Sequence, residues 1–458
     1  MIANLGLLAG LVLLIVMALR GVNILVAALA ASLVVAVTNG IGFSTALLQH
    51  FPFGPLGAFS FAGKFFVLFL TGAIFGKMMA ASGAAGSIAS SVTQWLGAKH
   101  TILVTMLVCA LLTYGGVVVF VVIFTMYPLG VALMREANLP KRLFCGATAL
   151  GAGTFTMTAL PGTPSIHNVI AASALNTSLF AGALIGIVAA VVMFVLGMVY
   201  LEREWKKAKL AGEGYQSNSQ DVNMEKLAPA LEHGPSWRLS ILPLVVVLGT
   251  IILPRLLLAT GTVTADTALI GPLVAFADRE PIIWPSFALV LGAASCVVLF
   301  AGFRSKAMAS LGSGADDAIM PLLNTAAVIG FGGVVTQTAG FGAFAQWVLE
   351  LPLPPLLSVF ASVSVVSAIV GSGSGGLQIF MQTFAENYLN LGVEPEVLHR
   401  IATLGAGGLD SLPHCGAVIA MLTIMGLKHR EAYKDIFVVT VAIPVIATLV
   451  AMAVSVMV

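Results

Sequence analysis

The sequence predicts an all-α polytopic membrane protein that is built from two inverted-topology repeats. Of its 458 residues, 59% are hydrophobic and only 9% are charged, whereas a soluble domain carries about a quarter charged residues. In addition, one motif occurs twice, as LGAG at 150–153 and again at 404–407. Each copy opens a stretch of Gly, Pro and hydroxyl residues within apolar sequence, and such paired interruptions are typical of the binding sites of secondary transporters.

Apolar runs divide the chain into about ten transmembrane helices and two hairpins, given about 20 residues per crossing. Two of the ten are broken helices, at 143–175 and 399–425. The apolar stretches 101–134 and 354–391 have Gly-rich centres, so we expect each to be a re-entrant hairpin. The eight continuous spans lie near 2–19, 22–38, 62–80, 179–201, 239–259, 285–303, 319–345 and 436–457.

A polar linker at 202–238 separates an N-terminal repeat, 1–201, from a C-terminal repeat, 239–458. Each repeat has five spans and one hairpin, and an odd number of spans inverts the second repeat relative to the first. If the linker is cytoplasmic, the predicted spans place 17 of the 21 lysines and arginines on the cytoplasmic side. The four on the external side are Lys64, Arg255, Arg279 and Arg400. This split follows the positive-inside rule. We therefore expect a multi-pass protein of a bacterial inner (cytoplasmic) membrane with both termini external.

The breaks and the hairpin tips supply the candidate substrate-binding residues. Backbone groups freed at a break are tolerated in a membrane only beside protein or a water-filled cavity, and helix N-termini favour a carboxylate. The alternative is that the small residues merely allow close helix packing, but a matched pair with flanking prolines favours a binding site. The candidates are Thr156, Thr158, Thr163, Ser165 and Asn168 in the first broken span, Gly115 and Gly116 in the first hairpin, Ser372 and Ser374 in the second hairpin, and Ser411 and His414 in the second broken span.

Asp410 is an acid inside an apolar segment, and intramembrane acids are so costly that a functional role is the default hypothesis. We expect Asp410 or His414 to carry a coupling proton. The alternative for Asp410 is a carboxylate that caps the following half-helix. His167 is expected to be a hydrogen-bonded, non-titrating histidine, and Arg400 the solvated end of its span. With no Lys or Arg expected beside the breaks, hydroxyls and helix N-termini would hold an anion.

Other function classes lack a motif in this chain. There is no GxxxxGK[ST], HExxH, GxSxG or dinucleotide fingerprint, so we expect neither an enzyme nor a cofactor. The four cysteines show no CxxC spacing, so neither a zinc site nor a disulfide framework is indicated. No nucleic-acid partner is expected. A passive organic-acid channel remains as an alternative, although the broken repeats argue against it.

Around ALPGTPSIHNVI, at Ala159–Ile170, the sequence resembles the gluconate permease family of proton symporters for organic acids. The resemblance extends over nearly the whole chain, and it implies membership of a larger superfamily of ion transporters with inverted repeats. It also implies a homodimer and an elevator mechanism, in which a transport domain with two hairpins moves against a fixed scaffold. The first spans of each repeat, with 239–259 and 285–303, are the scaffold candidates.

One departure from the family bears on the substrate. Sugar-acid members carry a PPHPGP-like stretch where Leu160–Ser165 here reads LPGTPS, which is more similar to members labelled hydroxybutyrate permeases. The resemblance therefore implies proton symport of a small hydroxy-carboxylate like 3-hydroxybutyrate. The alternatives are proton symport of gluconate or another sugar acid, and sodium symport through oxygen cages at the two breaks.

Overall fold

Every regular element of the described residues is helical. The computed structural model describes residues 2–117, 119–218, 221, 234–264, 267 and 270–457. Lys226 and most of the second half of the expected linker therefore lie outside the described residues. The α-helices of four or more residues in the first half are α1 (Ile2–Leu19), α2 (Ile24–Thr38), α3 (Ala58–Ala81), α4 (Ala84–Leu96), α5 (Thr101–Tyr114), α6 (Val119–Ala137), α7 (Lys141–Gly153), α8 (Phe155–Thr158), α9 (Ile166–Leu175) and α10 (Ala183–Leu210).

The second half repeats the same succession of long helices, hairpin and broken helix. Its last two helices are joined by a π-helical stretch, Val438–Ala442. Its α-helices are α11 (Trp237–Ser240), α12 (Leu242–Ala259), α13 (Gly271–Arg279), α14 (Ile283–Leu299), α15 (Arg304–Val335), α16 (Ala339–Glu350), α17 (Pro355–Val370), α18 (Gly373–Thr383), α19 (Ala385–Asn390), α20 (Pro395–Ala406), α21 (Gly416–Met425), α22 (His429–Phe437) and α23 (Ile443–Met457).

The predicted all-helical membrane fold is confirmed. Within the described ranges, five continuous helices are long and apolar enough to cross a membrane: Ala58–Ala81, Ala183–Leu210, Trp237–Ala259, Ala301–Val335 and His429–Ser455. Helices α1 and α2 are apolar but shorter, and two further positions are the broken helices α7–α9 and α20–α21. With the bent pair α13–α14, these occupy the ten positions at which the sequence predicts spans.

Two continuous spans differ from the expectation. The span near 285–303 belongs to a pair of helices, α13 and α14, that are bent by 103°. Pro281 lies at the bend, where it can donate no backbone hydrogen bond and restricts the residue before it. The span near 319–345 is a helix that starts at Arg304 and ends at Val335. A new helix follows, because the Thr338 side chain accepts a hydrogen bond from Phe341 N and caps it.

Both hairpins and both broken helices form as predicted, and their packing is reciprocal. The first arm of each hairpin packs on the first half of its own repeat's broken helix, α5 on α7 and α17 on α20. The second arm packs on the second half of the other repeat's broken helix, α6 on α21 and α18 on α9. The long helices pair in the same way, α3 with α15 and α10 with α23. Such reciprocal pairings are expected when the two repeats of one chain are related by a two-fold axis. The exact boundaries of the repeats stay a prediction.

The described part of the linker folds back onto the helices. Asp221 is fully buried and pairs with Lys141 at the start of α7, with 2.7 Å between Nζ and Oδ1. Tyr127 and Tyr215 donate hydroxyl hydrogen bonds to the same carboxylate. Asn218 donates through Nδ2 to the carbonyl of Met425, the last residue of α21. The linker is thereby attached to the first broken helix and to the second.

Candidate functional site

Both long breaks occur where the sequence removes helical hydrogen bonds. The first break, residues 159–165, separates α8 from α9 and contains Pro161 and Pro164. The second break, residues 407–415, separates α20 from α21 and contains Pro413. Proline cannot donate a backbone hydrogen bond and clashes with the preceding turn. The freed backbone groups of each break are therefore tolerated only because protein surrounds them.

The two breaks touch each other. A methyl group on Gly407 would lie 2.6 Å from Thr158 Cγ2, far inside van der Waals contact. Gly407 therefore permits an approach that a larger residue would prevent. Thr158, just before the first break, and Gly407, in the second, bring the two repeats together at this point.

The second tip, Gly371–Ser372, lies against the second break, and the start of α18 that follows it lies beside α9. Gly371 has φ +61°, which favours glycine, and Ser372 caps α18 by accepting a hydrogen bond from Gly375 N at 3.2 Å. A methyl group on Gly373, the first residue of α18, would lie 2.4 Å from Asp410 Oδ2 and 2.5 Å from His167 Nε2. An acid of the second break, a histidine of α9 and a helix N-terminus therefore meet at one glycine.

Asp410 does not cap the helix that follows it, so the capping alternative is wrong. Cys415 occupies the N-cap of α21 and makes no side-chain cap bond. The Asp410 carboxylate instead accepts a hydrogen bond from Ser411 Oγ at 2.8 Å and faces the N-terminus of α18. Helix N-termini stabilise negative charge, so the position suits a carboxylate that is ionised for part of a cycle.

His414 is fixed to the second hairpin. Its Nε2 lies 3.0 Å from the carbonyl oxygen of Ala368 in α17. Its ring also fills the space beside Gly371, where a methyl group would lie 2.5 Å from Cδ2. The structure thus places His414 against the second tip, with Nε2 used in a contact to the backbone.

The first tip, Gly115–Gly116, contacts the first break. Gly116 has φ +94°, and a methyl group there would lie 2.6 Å from Leu289 Cδ2 and 3.1 Å from Pro164 Cγ. Tyr114 donates its hydroxyl hydrogen to the carbonyl of Pro161 at 2.9 Å. A glycine is therefore required at 116 both by the left-handed backbone and by the close approach.

Most candidate hydroxyls hydrogen-bond to nearby groups of the chain. Thr156 donates to the carbonyl of Gly151 at 2.8 Å, and Thr158 to that of Thr154 at 3.2 Å. Ser165 donates to the carbonyl of Met157 and caps α9 by accepting from Asn168 N. The Ser372 and Ser374 hydroxyls lie 3.4 Å apart. Thr163 is different, because its buried Oγ1 has no hydrogen-bond partner among the described residues.

Arg400 is a fully buried cation, so the expectation of a solvated residue is wrong. Its guanidinium donates to the carbonyl of Ala181 at 2.7 Å and 3.0 Å, and to the carbonyl of Thr158 and Asn168 Oδ1 at 3.3 Å each. None of these acceptors is a carboxylate. The expectation that no Lys or Arg lies beside the breaks is therefore also wrong.

Two glycines make room for Arg400: Gly182, which caps the start of α10, and Gly186, which lies within α10. A methyl group on Gly182 would lie 2.6 Å from Arg400 Cβ, and one on Gly186 would lie 3.1 Å from its Cδ. These glycines are spaced as GxxxG, the small-residue pattern that lets helices approach closely. This spacing is the one sequence signal that could have indicated a large side chain buried against this surface.

Asn168 is used within the fold. Its Nδ2 donates to the carbonyls of Thr163 and Leu179, both at 2.9 Å. Its Oδ1 accepts from Arg400 and lies 2.8 Å from His399 Nε2. Both amide hydrogens and the carbonyl oxygen are therefore engaged, and Asn168 joins α9 to α20.

His167 makes no hydrogen bond within the described part of the chain, which contradicts the expectation for this residue. Its side chain is only 4% exposed, and neither ring nitrogen has a partner among the described residues. Buried polar atoms without partners are rare and costly. His167 therefore joins the site, although the sequence analysis did not count this residue of the first broken span among the binding residues.

Two further features bear on ligands. No group of three or more His, Cys, Asp or Glu side chains suited to a metal ion occurs in the described part of the chain. A cavity of about 300 Å³ lies elsewhere, between α1, α15 and the second hairpin. It is lined almost wholly by apolar side chains, such as Leu7, Phe331 and Val370, and the hydroxyl of Thr336 in its lining already donates to the carbonyl of Gly333, so the cavity is poorly suited to an anion.

Solved structures support the fold. A crystal structure of the YdaH transporter of Alcanivorax borkumensis matches with a TM-score of 0.55 and 15% identity, over 90% of this chain and 86% of that one. A structure of MtrF of Neisseria gonorrhoeae, described among antimetabolite efflux pumps, matches with a TM-score of 0.52 and 13% identity, over 92% of this chain and 83% of that one. At such identities the likeness concerns the fold alone.

Sequence relatives are closer. The uncharacterized transporter YxjC of Bacillus subtilis is 38% identical over 400 residues, which cover 83% of this chain and 84% of the relative. An uncharacterized transporter of Haemophilus influenzae is 25% identical over 75% of this chain and 74% of its own length. The family described as GntP family permease matches residues 2–458. With its broken helices, its hairpins and this match over almost its whole length, the chain belongs to the GntP permease family of secondary transporters.

Proposed function

We propose that this permease imports a small hydroxy-carboxylate, such as 3-hydroxybutyrate, by proton symport, and that Asp410 carries the proton. The observation that carries the proposal is the position of Asp410. It lies in the second break and at the N-terminus of α18, where its Oδ2 and the Nε2 of His167 in α9 both come within 2.5 Å of the point that a Gly373 methyl group would occupy. A proton carrier must be reachable by substrate and proton alike, and the meeting point of the breaks and a hairpin tip is the place for both.

The charges around the breaks support the coupling of one proton to one monocarboxylate. Arg400 contributes one positive charge and ionised Asp410 one negative charge, so with neutral imidazoles the empty site is neutral. A monocarboxylate alone would leave a net negative charge inside the membrane, which is costly. A proton on Asp410 restores neutrality. The proposed cycle is therefore electroneutral.

The proposed substrate class is inferred from the sequence of the first break. Its LPGTPS stretch, Leu160–Ser165, is more similar to permeases labelled for hydroxybutyrate than to sugar-acid permeases. Close packing supports a small ligand, since Gly407 lies against Thr158 and the first tip against Pro164. Gluconate or another sugar acid is the competing substrate, and sodium is the competing coupling ion.

The proposed movement is of the elevator type. The hairpins and broken helices pack on one another across the two repeats, so they can move as one body. Helices α1, α2, α12 and α14 are the scaffold candidates. We also propose a homodimer in a bacterial inner membrane, with the linker cytoplasmic and both termini external. A mass measurement in lipid that finds monomers would count against the dimer, and protease access to tagged termini checks the orientation.

Replacing Asp410 by Asn tests the role of the acid. In proteoliposomes, Asp410→Asn should lose uptake against a concentration gradient and keep exchange of labelled for unlabelled 3-hydroxybutyrate. The reason is that a permanently neutral side chain mimics the protonated state but cannot release a proton. Asp316→Asn is the matched control, because Asp316 is an exposed acid of α15. Concentrative uptake by Asp410→Asn at the control's rate would remove Asp410 from the mechanism.

A further inference from the structure

His167 differs from the two other histidines of the broken helices. His399 lies 2.7 Å from Thr177 Oγ1 through Nδ1 and 2.8 Å from Asn168 Oδ1 through Nε2. His414 uses Nε2 in its contact with Ala368. His167 is only 4% exposed, yet neither of its ring nitrogens has a partner among the described residues. A fold that satisfies two buried histidines and leaves the third unsatisfied indicates that the partner of the third is a ligand.

The free Nε2 of His167 faces Asp410 across Gly373. Both Nε2 and Asp410 Oδ2 lie within 2.5 Å of the point where a Gly373 methyl group would be. They are thus within the roughly 4–6 Å over which ionisable groups influence each other. They nevertheless make no direct hydrogen bond with each other, since Nε2 has no partner within the described ranges of the chain. The lack of a side chain at Gly373 is what allows the acid and the ring to approach the start of α18 this closely.

The two groups together require a guest that can both donate and accept a hydrogen bond. An ionised Asp410 only accepts, and a protonated one donates. A neutral imidazole donates from one nitrogen and accepts at the other. A hydroxyl group, with one hydrogen and two lone pairs, can pair with Asp410 and His167 in both protonation states of the acid. A carboxylate would be repelled by ionised Asp410, and an ammonium group could not accept from a protonated one.

We propose that His167 and Asp410 bind the hydroxyl group of the substrate and that His167 sets the preference for hydroxy acids over plain carboxylates. This inference rests on the proposed function, because it assigns one group of the proposed substrate to particular atoms. The carboxylate of the substrate then lies away from Asp410, towards the donors of the first break. The same pairing brings the substrate into contact with the proton carrier.

Calorimetric titration of the full chain in lipid nanodiscs tests the inference with three ligands: 3-hydroxybutyrate, butyrate and 3-aminobutyrate. The wild-type protein should bind 3-hydroxybutyrate at least about tenfold more tightly than butyrate, since a buried pair of polar groups is left unpaired by the plain acid. His167→Leu should bring this ratio close to one by weakening the hydroxy acid and sparing butyrate. His167→Gln, which keeps a donor and an acceptor, should restore part of the ratio.

The outcomes separate this inference from the proposed function. A wild-type protein that binds none of the three acids overturns the proposed function, and the role of His167 falls with it. If the wild type binds 3-hydroxybutyrate but His167→Leu keeps the full preference, the role of His167 is overturned alone. Tighter binding of 3-aminobutyrate than of 3-hydroxybutyrate also overturns it. If His167→Leu binds nothing, recovery of 3-hydroxybutyrate binding in His167→Gln supports the inference. Failure of a His167→Gln protein that melts at the wild-type temperature contradicts it.

Discussion

Replacing Gly373 by Ala perturbs the site with a single methyl group. That group would lie 2.4 Å from Asp410 Oδ2, 2.5 Å from His167 Nε2 and 3.2 Å from the carbonyl oxygen of Ala406. A Cβ atom essentially never approaches another atom within 3.0 Å, so the acid and the histidine must both retreat by at least about half an ångström in a densely packed interior. Displacements of about 1 Å in a binding constellation can cost on the order of 100-fold in rate.

The stability of the protein should change little in comparison. Overpacking costs about 1–3 kcal/mol, whereas Ala in place of Gly gains about 0.4–1 kcal/mol by lowering the conformational entropy of the unfolded chain. The expected result of Gly373→Ala is therefore a folded permease whose proton-driven uptake of labelled 3-hydroxybutyrate falls by about two orders of magnitude. Proteoliposome uptake measures the rate, and the melting temperature of the same preparation shows that the protein is folded.

Gly416→Ala is the matched control. Gly416 is the first residue of α21, as Gly373 is of α18, but a methyl group there has no atom within 4 Å. The control should transport at the wild-type rate. Wild-type uptake by Gly373→Ala would refute the reasoning, because it would mean that neither Asp410 nor His167 is needed at its observed position.

Three further predictions concern Arg400, Asp221 and the effect of a membrane potential on transport. Arg400→Lys should lower the melting temperature and reduce uptake at least tenfold, because an ammonium cannot reproduce the guanidinium bonds; a thermal shift assay and uptake measure both. Asp221→Asn should destabilise the protein by about 3–5 kcal/mol, since it leaves Lys141 buried without its partner; chemical denaturation measures this. Burial raises the pKa of Asp221, but hydrogen bonds from Lys141, Tyr127 and Tyr215 outweigh burial and hold this pKa below its ordinary value. The contribution of Asp221 should therefore persist from about pH 5 to 8 and be lost only on acidification below its ordinary range. A membrane potential imposed with potassium and valinomycin should drive no accumulation of substrate, and accumulation would contradict an electroneutral cycle.

The sequence was sufficient to predict the breaks and the hairpins. Gly115–Gly116 and the GSGSGG stretch at 371–376 interrupt apolar runs. The first is a hairpin turn in the structure, and the second supplies both the turn at Gly371–Ser372 and the first residues of α18. Pro161, Pro164 and Pro413 mark the two breaks. These signals are local, since glycine and proline act on the backbone at their own positions. For the same reason the bend at Pro281 could have been recognised, but the surrounding apolar run concealed it.

Arg400 and His167 could not be placed by local signals. Arg400 is near the polar start of its span, where arginines are usually solvated, and its burial depends on Gly182 and Gly186 more than 200 residues away. His167 was expected to be satisfied, because most buried histidines are. Its ring nitrogens instead lack a partner among the described residues, and Nε2 lies beside Gly373 of the other repeat. Tertiary packing between the two repeats creates the environment of both residues. The sequence of a single segment does not indicate which residues of the other repeat will pack against it.

Uptake of labelled 3-hydroxybutyrate into proteoliposomes under an imposed inward proton gradient, with gluconate as competitor, tests the central claim most directly. The account predicts accumulation that collapses when a protonophore is added, that needs no sodium and that an excess of gluconate does not inhibit. Accumulation that appears only with a sodium gradient would contradict proton coupling through Asp410. Strong inhibition by gluconate would contradict the assignment of a small hydroxy-carboxylate as the substrate.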